Sequence, residues 1–384
     1  MGRIILVRHE TDHPALYGAA AALVAAAEGG RLFWPPAQFD LDRHPDAQQH
    51  VADEGALIPS GLIWADRLSG RSARPLAELS DAAVAVVPVH SSFLADNDDV
   101  SRLAAAGAEE RIIRLEANRF VDADGCTIGW RDRFGRVLCA EPAEAEPSDL
   151  VFALAGPVEQ FLETCPAPLA ALADAIDAEA PGSALRFLDP RALPANPLAG
   201  VDGVLLPGGS QMSSVTGQIA LARAARTGGT PIVGLCLGMQ SMSTAVAREL
   251  SGWEDTDMAE AAPAAARHSF IRIETGEHRL GRRMTRSVPG SRLAQLLGAE
   301  SDIACNHRYR LAPALHQRLA TRGVLVSALG GEPGQDIADA IEATDGFYMG
   351  MQGHPELSSR PGHPHPLLRA FAAETARTAR ARRA

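Results

Sequence analysis

The chain has 384 residues, of which 46% are hydrophobic, 22% charged and 5% aromatic. That length accommodates two domains with their own cores, and so large an apolar fraction excludes a disordered chain. A formal net charge of −11, from 36 basic against 47 acidic residues, argues against nucleic acid as the main partner, and the short Arg377–Arg383 tail does not reverse it.

All 36 basic residues are arginine. A lysine-free stretch can hold neither a P-loop, whose lysine reaches the β- and γ-phosphates, nor a Schiff base. Five cysteines (Cys126, Cys139, Cys165, Cys236 and Cys305) show no CxxC and no Cys/His ligand spacing, so neither a disulfide framework nor a metal site is expected. No basic, apolar and small-residue succession opens the chain, and its longest apolar run, Ala19–Ala27, falls far short of the roughly 20 residues of a membrane span. The expectation is a soluble, cytoplasmic protein with no membrane partner.

In chain order, the β-branched run Arg3–Arg8 predicts a buried strand and Ala15–Glu28 a helix. Pro35 and Pro36 open a polar stretch that ends near Ser60. Asp81–Val89 predicts another buried strand and Asp98–Ala106 a helix. Arg111–Cys139 alternates apolar and polar residues around the turns Asp122–Gly125 and Arg133–Gly135, the pattern of strands joined by hairpins. The charged, proline-punctuated Ala140–Pro147 reads as a linker. Residues 1–148 are therefore expected to form a small α/β domain.

From Asp149 strands and helices alternate. Leu150–Ala155, Ala184–Leu188, Val201–Leu206 and Pro231–Leu235 predict strands; Pro168–Ala178, Gln218–Thr227 and Met239–Leu250 predict helices. Such alternation implies an α/β domain over residues 149–384, built on a doubly wound, mostly parallel sheet.

Three motifs carry chemistry. In PIVGLCLGMQ, Pro231–Gln240, Cys236 stands at a strand end with Gly234 and Gly238 beside it and a helix beginning behind. A tight strand-to-helix turn needs such small neighbours, and the helix N-terminus favours thiolate over thiol. A buried structural cysteine remains the alternative for this motif alone. About 120 residues on, the strand Gly346–Met351 leads into Gly353-His354-Pro355-Glu356, where a histidine can take and return a proton and a carboxylate can orient it. Leu206-Pro207-Gly208-Gly209 ends a third strand with glycines that let a backbone N–H approach an oxyanion, the N–H of Leu237 being the second donor.

Together GVDGVLLPGG, PIVGLCLGMQSM, EHRLG, VPGS, NHRYRL and MQGHPELSSRPGHPHPLLRAF resemble the class I glutamine amidotransferases, in particular the glutaminase domain of CTP synthase, over roughly residues 149–375. The resemblance implies Cys236 as nucleophile, His354 as base and acid, Glu356 as the orienting carboxylate, and Gly209 and Leu237 as the oxyanion hole. It further implies that Gln240 contacts glutamine, Glu260 holds its α-amino group and Arg308 its α-carboxylate, an acid–base pair suited to a zwitterion. Bland alternatives for Glu260 and Arg308 are exposed surface charges. No metal and no cofactor are implied. After Gly209 the chain reads Ser210-Gln211-Met212-Ser213-Ser214 where CTP synthases carry a loop linked to GTP activation, so that activation is not expected.

The implied function is release of ammonia from glutamine through a cysteinyl thioester, for an acceptor activated on a synthetase partner; the chain is not expected to make CTP alone. A γ-glutamyl amide or peptide hydrolase and a catalytically silent binding module stay open, as does a homo-oligomer. Residues 1–148 are assigned to acceptor or partner recognition. Two other readings of that region are open: Arg8-His9-Glu10 resembles the opening of the histidine phosphatases, and Ile4–Glu28 resembles the first strand and helix of the amidotransferase itself. His90-Ser91-Ser92 sits where ligands bind in open α/β sheets, or is an ordinary loop.

Overall fold

The computed structural model describes residues 2–79, 82–94, 98–331 and 334–384. Packing divides the chain into two compact units. The first takes in the residues up to Ala52, Leu57–Glu144 and Val158–Ala170; the second takes in Asp53–Ala56, Ala145–Pro157 and Ala171–Ala384.

In the first unit five parallel strands form a sheet in the order Arg74–Pro75, Arg31–Trp34, Val84–Val89, Arg3–Arg8, Glu109–Ile112. The inner strands are continuous apolar runs because both of their faces are covered: Ile5, Leu6, Val86 and Val87 are wholly buried. Asp81, the expected start of one of them, lies outside the described residues. The predicted Ala15–Glu28 helix is divided into a 3-10 turn, Pro14–Leu16, and an α-helix, Ala19–Ala27. Gly18 lies between them at φ 75°, with Leu62 Cδ2 only 2.9 Å from where a Cβ would stand, so only glycine fits the break. The hairpins predicted over Arg111–Cys139 form a separate antiparallel sheet of Val137–Leu138, Thr127–Arg131, Arg119–Val121 and Arg114–Glu116.

The second unit is built on nine strands in the order Ala184–Leu188, Val151–Ala155, Gly203–Leu206, Ile232–Leu235, Tyr348–Met351, Ile337–Ala343, Val324–Gly330, Arg279–Ser287, Glu300–His307. The first five run parallel; the last four are joined antiparallel. The fold is α/β as expected, but the sheet is mixed. Its antiparallel half is inconspicuous in the sequence because a strand such as Arg279–Ser287 (RLGRRMTRS) keeps an exposed Arg282 and the half-buried Arg283 and Arg286 among its buried residues. Since Arg3–Arg8 belongs to the other sheet, Ile4–Glu28 is not the first strand and helix of this one; Val151–Ala155 and Ala167–Glu179 stand there instead.

The C-terminal helix Pro366–Arg383 buries Leu367, Leu368, Phe371, Ala372 and Thr375, and the arginines of the tail lie along its last turns. Phe371 meets Phe152 edge to face, and Thr375 Oγ1 would stand 2.3 Å from a Cβ at Gly203, so the helix rests directly on the strand backbone. Among the described residues no helix is long and apolar enough to cross a membrane.

Candidate active site

The wholly buried strand Ile232–Leu235 ends at Cys236, and the helix Leu237–Ala247 begins at the next residue. Turning between them within one residue puts Cys236 at φ 48°, ψ −108°, a region that non-glycine residues rarely occupy. The turn is pinned by the Cys236 N–H, which donates to Met351 O at 2.7 Å on the neighbouring parallel strand. Both flanking glycines are required by contact. A Cβ on Gly238 would stand 2.1 Å from Leu206 O, and one on Gly234 would stand 2.5 Å from Met242 Sδ. Cys236 therefore stands at a helix start, whose first N–H groups lack intrahelical partners.

His354 follows the strand Tyr348–Met351, its N–H donating to Ala304 O at 2.8 Å. Its Nδ1 lies 2.7 Å from Glu356 Oε1, and Glu356 is itself buried on the short turn Pro355–Ser358. That bond sets the Nδ1–H tautomer and leaves Nε2 buried with no hydrogen-bond partner. Burial opposes the imidazolium, but the Glu356 carboxylate and the Cys236 sulfur outweigh it and lift His354 well above the usual histidine range. Gly208 lies against both Cys236 and His354: a Cβ there would be 3.1 Å from both Cys236 Cβ and His354 Cε1. Gln218 donates to Pro207 O at 3.2 Å and accepts from Ser241 at 2.9 Å, which ties that glycine loop to the helix that follows Cys236. Gly209 sits at φ 144° and Leu237 opens the helix, so their N–H groups are the candidate oxyanion donors.

The structure thus gathers Cys236, His354, Glu356, Gly208 and Leu237 into one place. Gln240 joins them from the first turn of the helix; its Nε2 donates to Gln352 Oε1 at 3.4 Å, and its own Oε1 is buried without a partner. Glu260 and Arg308 are both exposed and flank a small three-stranded sheet of Asp257–Met258, His268–Arg272 and Tyr309–Leu311, Glu260 on the turn after its first strand and Arg308 immediately before its last. Partial burial raises the Glu260 carboxyl and the charge of Arg308 opposes that rise, so the pair shares one field. Two neighbours of the sulfur escaped sequence reasoning: Gln352 Nε2 at 3.8 Å and the main-chain oxygen of Asn306 at 3.9 Å. Gln352 was visible in the run MQGHPEL, two residues before His354, but nothing in that run says which way its amide turns.

In the first unit His9 is buried, with Nδ1 3.1 Å from Ile113 O, and its ring centroid is 5.8 Å from that of His90. His90 is also buried and accepts the Gly18 N–H at 3.0 Å. The histidine-phosphatase reading gains no exposed nucleophile from this arrangement.

Residues 188–373 match the family model for glutamine amidotransferase class-I. They form a class I glutamine amidotransferase domain. Cys236, His354 and Glu356 all fall inside it. The amidotransferase region is 37% identical over 194 residues to the CTP synthase of Saccharopolyspora erythraea, covering 46% of this chain and 34% of that protein. It is 37% identical over 196 residues to the CTP synthase of Chloroflexus aggregans, covering 48% and 35%. The chain spans about a third of the length of the curated relatives it matches. Among solved structures, the glutaminase domain of Trypanosoma brucei CTPS with bound acivicin shares the fold at a TM-score of 0.55 and 23% identity, covering 60% of this chain and 94% of that one.

Proposed function

We propose that the chain hydrolyses glutamine and delivers ammonia to an acceptor. The observation that carries the proposal is the geometry around Cys236: a cysteine on a strained strand-to-helix turn, with a glycine packed against both it and a histidine whose far nitrogen is bonded to a buried carboxylate. Cys236 Sγ attacks the γ-carbonyl carbon, and the N–H groups of Gly209 and Leu237 hold the oxyanion. His354 delivers a proton to the nitrogen, the C–N bond breaks, and ammonia leaves a γ-glutamyl thioester. Water, deprotonated by His354, then cleaves the C–S bond to give glutamate and restore the thiol. Gln240, with an unpartnered buried acceptor, takes an N–H of the substrate. Glu260 and Arg308 take its ammonium and carboxylate.

The acceptor is activated on a partner protein, and residues 1–148 recognise the acceptor or dock that partner. The lysine-free sequence favours this division, because it offers no P-loop for activating an acceptor with nucleotide.

The test is glutamate and ammonia release by the wild-type chain beside Cys236→Ala, with acivicin labelling of Cys236 as a second readout. Release that disappears in the variant is the expected result. Labelling without release indicates an enzyme held idle until its partner binds. Neither release nor labelling overturns the reading in favour of a silent binding module, and turnover of γ-glutamyl amines in preference to glutamine overturns it in favour of a hydrolase.

A further inference from the structure

Gln352 is fully buried one residue beyond the strand that carries the site, and the steps above give it no task. We propose that Gln352 is a direct donor to the Cys236 sulfur, turned to face it by Gln240, and that it holds the sulfur's negative charge once the proton has gone to His354. The proposal rests on Cys236 being the nucleophile.

A primary amide has an accepting end and a donating end, and in the structure Gln352 turns its accepting end to Gln240 and its donating end to the sulfur. Gln240 presents its Nε2 to Gln352 Oε1 at 3.4 Å, leaving the Gln352 Nε2 for the sulfur at 3.8 Å. The Gln352 main chain is fixed independently by its N–H to Asp339 O at 2.7 Å. The sulfur then has two polar contacts of opposite kind. Asn306 O can only accept, so it suits the S–H of the resting thiol. Gln352 Nε2 can donate, so its contact becomes charge-assisted when the thiol ionises while the Asn306 contact becomes repulsive. Cys236 is buried, and little water is present to take over that task.

The other ionisable groups facing the sulfur do not replace this donor. His354 is the proton acceptor itself, and Glu356 acts on the sulfur only through the imidazole. Cys305, on the strand Glu300–His307, is fully buried and pushed up to about 12 by burial, so it stays a neutral thiol. The chain of amides also runs outward: a substrate N–H on the free Gln240 Oε1 polarises Gln240, then Gln352, then the contact to sulfur. Substrate binding would thereby strengthen the hold on the thiolate that attacks it.

The experiment is the pH dependence of Cys236 alkylation by iodoacetamide in the full chain, with the modified peptide identified by mass and Cys236→Ala as the blank. Gln352→Met keeps the length and removes the donor; Gln352→Glu keeps the shape and replaces the donor with an acceptor. The half-maximal pH is expected to rise by about one unit in the Met variant, with alkylation about tenfold slower at pH 7, and to rise further in the Glu variant. Glutaminase kcat should fall with KM nearly unchanged. Superimposable alkylation profiles in wild type and Gln352→Met, with both folded, overturn the proposal, because a merely structural glutamine would change melting and not the profile. Should the Met variant be unfolded at the assay temperature, the Gln352→Glu profile decides on the same terms. A wild-type Cys236 that reacts with neither iodoacetamide nor acivicin removes the nucleophile reading instead, which keeps the two failures distinct.

Discussion

Gly208 leaves no room for a side chain, since a Cβ would press at 3.1 Å on both Cys236 and the His354 ring. Gly208→Ala is expected to lower kcat by about 10²-fold through displacement of the imidazole, with melting little changed, because a shift of about 1 Å in a reacting pair costs that much. Steady-state rates beside thermal melts check it. Glu356 acts on the same ring electrostatically. Its carboxylate is the leading cause that raises His354 against desolvation, so Glu356→Gln lets the imidazolium deprotonate at lower pH. The alkaline limb of kcat, which needs protonated His354 to release ammonia, should therefore move to lower pH. A limb that stays in place shows that another group controls it. The residue types at Cys236, His354 and Glu356 were legible in the sequence because their motifs are local. The orientation of Gln352 was not, because it depends on Gln240, 112 residues away in the chain.

At the scale of elements, the helix Leu237–Ala247 is pressed so closely on Gly203–Leu206 that a Cβ at Gly238 would overlap Leu206 O. Gly238→Ala should cost about 3 kcal/mol, measured by denaturant unfolding, and should displace the turn at Cys236 as well. Gly228, at the end of the helix Val215–Gly228, is the control. Its nearest obstacle is Thr230 Oγ1 at 3.8 Å, and Gly228→Ala should be neutral or stabilising by about 0.5–1 kcal/mol. The parallel strands and their helices were readable because apolar runs and amphipathic spacing are local signals. The strand Arg279–Ser287 was not, because arginines stand among its buried residues and leave a weak alternation.

At the scale of the molecule, each unit carries a buried neutral histidine: His90 in the first and His307 in the second, both pushed down to about 3 chiefly by burial. A folded value below the unfolded one means that the unfolded chain binds more protons, so stability is full above about 6.5 and is lost as pH falls towards 3. Each histidine contributes a slope of about 1.4 kcal/mol per pH unit across that window. His90→Gln, which keeps an acceptor for the Gly18 N–H, should flatten the acid dependence of the first unit's unfolding and leave that of the second unchanged. Melts from about pH 4 to about pH 6.5, where the slope applies, test this. An unaltered acid dependence in His90→Gln would show that His90 does not set it.

Alone, the sequence determined the amidotransferase-like half, because the turn at Cys236, the histidine–glutamate pair and the glycine loop are each written in a short continuous run whose residue types the backbone geometry demands. Only the tertiary structure decided that Arg3–Arg8 and Val151–Ala155 belong to different sheets, that the second sheet is mixed, and that Gln240 and Gln352 meet beside the sulfur. Strand pairing and amide orientation are set by partners distant in the chain, and a single sequence carries no local trace of which partner is chosen.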